Sequence, residues 1–393
     1  MAINSTVRWF HSEQPGAPQI NADATGELIA ILDACLLNGF DSKSVDSLAV
    51  ASNVATVTIS GGHTFEKHAV IKIAGATPAE LNGDWRITAA DATTFTFDAT
   101  GIADGAATGT ITAIRATPGF WEKAHSGTDK AAYRSTHPDA TGLYFRIIDD
   151  QVSTGAIEVR GFESMTDVDT GTRPFPTFAQ HSDILYRWWK SSTTSASLLP
   201  RPWALVADEA FVWFFIDFSS TASVPAAMYH FGDIAGRIDD AFRFVITAQS
   251  RFSIRHPGDD TSQNDFGGGA STCCFFARNA AGAEGDPSLY YRHGRTATEW
   301  PGWGPEFPDN LTGGYLFSPV MAGSDASSNS SIMRGMVPGI LQSWTHTSNT
   351  LGSDLRRVVE PNLEYNRAVM VVAVTASTSS QSHVGVDIFG PWR

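Results

Sequence analysis

The sequence predicts a mainly β protein: an antiparallel β-sandwich-like main domain, one short helix near the N-terminus, and an inserted small β-module. Three observations predict this class. Short segments that alternate apolar and polar residues recur between turn-forming residues along much of the chain. Two runs, Phe211 to Phe218 and Val369 to Thr375, are rich in aromatic and β-branched residues and too apolar for one wet face, so they read as strands covered on both sides. One stretch alone repeats apolar residues at three- and four-residue steps.

That stretch, Thr25 to Asn38, is the predicted helix. Thr25 is placed as its N-cap, Leu28, Ile29, Leu32, Cys35 and Leu36 form its apolar face, and Gly39 follows as the residue that lets the chain leave. A helix of this length is marginal alone in water, so the face must lie on its own domain or on a neighbouring subunit.

Between Val54 and Ala113 the pattern changes to closely spaced strands. Val54 to Ile59, Val70 to Ile73, Trp85 to Thr88, Phe95 to Phe97 and Thr110 to Thr112 are separated by Gly61-Gly62-His63, Gly75-Ala76-Thr77-Pro78, Leu81-Asn82-Gly83-Asp84 and Asp104-Gly105. Asn82-Gly83 is read as a tight hairpin turn, since both residues tolerate positive φ. Beyond the module, Leu143 to Ile148 and Ala156 to Arg160 read as strands, the second with Ile157 and Val159 on one face and Glu158 and Arg160 on the other. The predicted division is residues 1–50 as an N-terminal segment of the main domain, 51–115 as the insertion, and 116–393 as the rest of the main domain. Glycine- and serine-rich stretches predict long loops over 257–330, with Tyr290, Tyr291, Trp300, Trp303, Phe307 and Tyr315 embedded in them.

The runs His63-Thr64-Phe65, Ile71 to Pro78, Leu81 to Thr88 and Thr94 to Phe97 resemble small β-barrel-like modules that recur in virion proteins of tailed bacteriophages. Arg8-Trp9-Phe10, Pro15-Gly16-Ala17-Pro18, Leu32-Asp33-Ala34-Cys35, the tract Gly161 to Pro176 and the final Asp387 to Arg393 are similar to structural proteins encoded among phage tail genes. The resemblance implies a tail-associated virion protein, assembled in the bacterial host cytoplasm, whose partners are copies of itself and other virion proteins.

Composition narrows the chemistry. Hydrophobic residues make up 42% and charged residues only 17%, which fits a surface partly covered by neighbours. With 27 basic against 41 acidic residues, the net charge of −14 offers no broad cationic field for nucleic acid or for an anionic membrane. No apolar run reaches the roughly 20 residues of a membrane-spanning helix. Cys35, Cys273 and Cys274 are too few for a disulfide framework and lack the spacing of a zinc site, and no cofactor is expected.

Candidate catalytic strings are unspecific. Asp167-Val168-Asp169-Thr170-Gly171 matches both the Asp-x-Asp of phosphate-transferring hydrolases and the Asp-Thr-Gly of aspartic proteases. It lacks the buried parallel strand of the first and the second carboxylate of the other, so it reads as a polar turn. Asp149-Asp150, Asp239-Asp240 and Asp259-Asp260 read as exposed turn acids, with paired action on a glycosidic bond as the alternative. Asp259 to Gly267 is rich in oxygen ligands without the spacing of a calcium loop. Trp188-Trp189, Trp203, Trp300 and Trp303 read as core or interface anchors, or as sugar platforms. The expected role is therefore a non-enzymatic structural component of the tail or its tip, with Trp9, Phe10, Trp300, Trp303, Tyr315 and Trp392 as assembly or ligand contacts. A module gripping host surface glycan, a head or collar decoration and a glycan hydrolase are the alternatives.

Overall fold

The computed structural model describes residues 5–21, 23–152, 155–177, 187–190, 200–217, 227–247, 274–279, 282, 288–291, 317–324, 332–343, 357–359, 368–373 and 383–393. These are mainly strands, arranged in antiparallel sheets, with one short helix near the N-terminus.

The organising element is a six-stranded central sheet in the order Arg8–His11, Trp203–Ala207, Phe211–Ile216, Ala227–Asp233, Phe244–Thr247, Cys274–Phe276. Its alternation sorts side chains to two cores. Phe10, Leu205, Val212, Phe214, Ile216, Tyr229 and Phe231 enter one, while Trp9, Ala204, Val206, Phe211, Trp213, Phe215 and Met228 enter the other. Every residue of Phe211–Ile216 is buried, as its lack of a polar face predicts.

On the first face lies a sheet built from Trp121–Gly127, Lys130–Ser135, Tyr144–Ile148, Ala156–Met165 and Gly171–Phe175, with Arg187–Trp189 paired to Ala156–Met165. Tyr133, Phe145, Ile147, Ile157 and Val159 point into the shared core. The helix joins them there, so its apolar face packs on its own chain: Leu28, Ile31, Leu32, Cys35 and Leu36 are buried. The helical segment is Glu27–Leu32 followed by a wider π-type stretch, Asp33–Asn38. Its N-cap is Gly26 in a left-handed conformation, not Thr25, because Asp149 supplies the capping carboxylate from a distant strand. On the second face lies a sheet that includes Phe317–Ser324, Ile332–Ser343, His383–Asp387 and Val369–Ala373, contributing Val337, Ile340, Met370, Val372, Val384 and Val386. Cys274–Phe276, Ser288–Tyr291 and Phe317–Ser324 are strands within the region expected to be long loops. Tyr290 and Tyr291 thus stand in a strand paired with Ala322 and Met321.

Residues 40–115 form an eight-stranded sheet rolled around a core of their own. Strand Gly83–Ala90 turns one corner, pairing first with Val70–Ala74 and then, after a register shift, with Thr94–Asp98. At the other corner the chain runs from Phe40–Ser44 into Ser47–Ala51, and Val45 N–H donates to Ile111 O. The module's sheet therefore starts before residue 51. Phe40–Ser44 and Ser47–Ala51 belong to it because Leu48 and Val50 face Val57, Phe95 and Phe97 inside. Arg8–His11 pairs with Trp203–Ala207, so segments on either side of the module share one sheet. Asn82 does not form a two-residue hairpin. Its side chain bonds Ala76 N and O at 2.8 Å each and Ala79 O at 3.0 Å, clamping the turn, while Gly83 takes the positive φ of 129°.

Candidate functional site

The described chemistry concentrates in three buried charge clusters where layers meet. The first joins the module to the central sheet's edge strand. Arg8 reaches Asp84 at 2.6 Å, and Trp9 Nε1–H donates to His68 O at 3.2 Å. Arg86 projects from the module into the main body and donates to His68 O and Ile388 O, both at 2.9 Å, and to Phe389 O at 3.0 Å; its guanidinium lies 4.3 Å from the Phe389 ring centre. Burial, with Arg8's like charge, lowers the Arg86 pKa to about 10 despite Asp387 nearby, so the group stays charged at neutral pH. Beside it, His11 Nε2 meets Glu66 at 3.0 Å, and Gln14 Nε2–H donates to the same carboxylate at 2.8 Å. Burial pushes the Glu66 pKa up, but His11, Gln14 and Arg115 together outweigh it and hold the group below its ordinary value. Arg115 ties the cluster to Thr64 O at 2.8 Å.

The second cluster fastens the last residues. Arg393 Nε–H donates to Asp208 Oδ2 at 2.9 Å, and its Nη2 donates to Asp233 O at 3.1 Å. Asp208 Oδ1 accepts from Ala210 N at 2.9 Å and Phe211 N at 2.7 Å, closing the hairpin between two central strands. Trp121 Nε1–H reaches Asp208 O at 2.8 Å from the neighbouring sheet, and Thr141 donates twice to Asp233, at 2.6 and 2.7 Å. Burial raises the pKa of both aspartates against these partners.

The third cluster lies at the start of the helix. Lys190 Nζ is 2.6 Å from Asp149 Oδ1 and 2.6 Å from Ala24 O, while Asp149 Oδ2 accepts from Leu28 N at 3.1 Å. Both side chains are fully buried. Asp149 was expected on a surface turn; it is interior because the helix needs a capping acceptor and Lys190 needs a counter-charge.

The six predicted contact aromatics divide into two groups. Trp300, Trp303 and Tyr315 lie outside the described residues, as do Phe307, Asp259-Asp260, the oxygen-rich run to Gly267 and Cys273. Trp9, Phe10 and Trp392 are 4%, 1% and 8% exposed, which corrects their reading as surface contacts. Trp9 and Phe10 alternate to opposite faces of the central sheet, and Trp392 packs over Gly339 with Nε1–H donating to Asp387 O at 2.8 Å. Trp188 and Trp203 are core residues, Trp188 stacking on Tyr229 at 4.8 Å, so neither offers a face to sugar.

Asp167 is a turn residue, its Oδ1 accepting from Asp169 N and Thr170 N at 2.8 Å each. Asp240 binds Arg334 through both oxygens at 2.8 Å, and Asp239 pairs with exposed Arg237. Among the described residues no three His, Cys, Asp or Glu side chains are grouped to hold a metal ion, and no helix is long and apolar enough to cross a membrane.

Sequence reasoning missed Arg8, Arg86, Lys190, Asp208, Asp233 and Arg393 as a set. Arg86 carried one signal, a charged residue at an outward position between the inward Trp85 and Ile87; the others depend on contacts between remote segments. No protein-family model matches the chain, and no curated protein matches it.

Proposed function

We propose that the chain is a structural component of a tailed-phage virion, placed in the tail or its tip, acting through contacts with copies of itself and with other virion proteins. The observation that supports this best is the use made of the interior charges. Arg8 fastens the small module to the edge of the central sheet, Arg86 fastens it to Ile388 and Phe389, and Arg393 is fastened to Asp208 of the same layered body. Hydrogen bonds to charged groups in desolvated sites hold geometry more tightly than apolar packing alone. Such a block presents its outer surfaces in fixed relative positions, which suits head-to-tail contacts that must close into a ring. The resemblance of Leu81 to Thr88 to small modules in virion proteins of tailed phages, and of Asp387 to Arg393 to structural proteins encoded among phage tail genes, suggests the setting.

The test is quantitative peptide mass spectrometry of density-purified particles from a lysate carrying the gene. A fixed whole-number copy count per particle supports the proposal, and a count shared with head proteins would move the chain to the head or collar. Abundance in the lysate with absence from particles would overturn the structural reading in favour of a free glycan-binding or glycan-cleaving protein.

A further inference from the structure

Lys190 and Asp149 differ from the other described ion pairs in that both side chains have no solvent exposure at all. Each follows a strand end: Asp149 comes directly after Tyr144–Ile148, and Lys190 directly after Arg187–Trp189, on opposite sides of Ala156–Met165. Backbone bonds fix both, with Asp149 N donating to Asp129 O at 2.8 Å and Lys190 N to Gly155 O at 2.5 Å. Asp149 adjoins the apolar core at Leu28, whose N–H it accepts from.

We propose that Lys190 and Asp149 condense to an intramolecular amide, an isopeptide bond. In a desolvated site the ion pair is costly, and passing one proton from ammonium to carboxylate yields an amine and a carboxylic acid. Those are the forms that react. Burial raises the pKa of Asp149. The Lys190 nitrogen attacks Asp149 Cγ, and the Nζ–Cγ bond forms. Negative charge gathers on Oδ2, where Leu28 N–H already donates at the helix's first turn. A proton from the nitrogen passes to Oδ1, 2.6 Å away in the ion pair, the Cγ–Oδ1 bond breaks, and one water leaves. The balance needs no oxidant, cofactor or second substrate. The pre-formed contact of 2.6 Å supplies the proximity that such a reaction lacks in solution. Once formed, the bond ties two strands and the helix start together across a sequence separation of 41 residues.

Intact-mass measurement of the full chain under denaturing conditions tests this directly. The expected result is a mass lower than the sequence mass by one water, and a protease digest containing one branched peptide that joins the Asp149 and Lys190 segments. Lys190→Arg keeps the charge and should restore the full mass. Wild-type protein that keeps its full mass after long incubation in the folded state overturns the proposal. So does a lost water that maps to a hydroxylamine-sensitive cyclic imide at Asp149 with no branched peptide.

Discussion

His230 shows how far a single buried side chain can set the pH response. Its ring stacks on Phe211 at 5.4 Å and meets Trp213 edge-on at 4.7 Å, with no solvent contact worth the name, and burial drives its pKa from 6.5 to about 3. A base whose folded pKa is depressed stabilises the fold fully above 6.5 and loses that contribution as pH falls toward the folded value, because only the unfolded chain takes up the proton. The loss approaches about 1.4 kcal/mol per pH unit inside the window. Asp149, Asp208 and Asp233 act with the opposite sign: their raised folded pKa values let the native state take up protons more readily, which favours it as pH falls. A difference measurement separates the two. In His230→Leu, the urea midpoint should fall less steeply than in wild type between about pH 6 and pH 4. Parallel curves for the two proteins would show that the ring is not held neutral by burial.

At the scale of elements, Gly339 and Trp392 form a lock on the carboxyl-terminal segment. Gly339 has a φ of 68°, and a Cβ there would stand 2.1 Å from Trp392 Cε2, inside the indole's own volume. Gly339→Ala should therefore expel Trp392, detach the Arg393 contact to Asp208 and cost about 2–4 kcal/mol by combining backbone strain with lost packing. Limited proteolysis within residues 388–393 should be at least tenfold faster than in wild type; equal rates would mean that this segment is held elsewhere. This lock also marks what the sequence could convey. Phe211–Ile216 was legible as a two-sided strand because its composition alone excludes a wet face, and the helix was legible from its repeat. The interior place of Trp392 was not, since a terminal aromatic reads equally as an anchor for a partner. Its fate depends on Gly339, more than fifty residues upstream and paired through a different sheet strand. Asp149 was misread for the same reason: an acid after a strand is a turn residue unless a distant helix start and a distant lysine converge on it.

At the scale of the whole molecule, the two kinds of core imply two kinds of cooperativity. The central sheet gives one face to each of two cores, so neither outer sheet can lose its packing without stripping the strands that serve the other. Those layers should unfold in a single transition. Residues 40–115 are different: apart from Phe40, which packs on Phe10 in the first core, their apolar residues from Leu48 to Ala113 close a core of their own. What links the module to the body is mostly the seam of Arg8, Trp9, His11, Glu66 and Arg86, a set of polar contacts, with Phe40 on Phe10 as an apolar contact beside it. A fragment spanning residues 39–117 should consequently fold alone, although a domain of that size has a thin margin of stability. Trp85 is the only tryptophan in that span and stacks on Phe97 at 4.6 Å, so its fluorescence reports the fragment's core. The expected result is a cooperative urea transition of the isolated fragment. In the full chain, Arg86→Ala should strip Ile388 O and Phe389 O of this donor, while His68 O keeps the Trp9 indole, and separate the module's transition from that of the body. A fragment that shows no cooperative transition, together with an Arg86→Ala chain that still melts as one unit, would mean that the module takes its stability from the central sheet and is part of its folding unit.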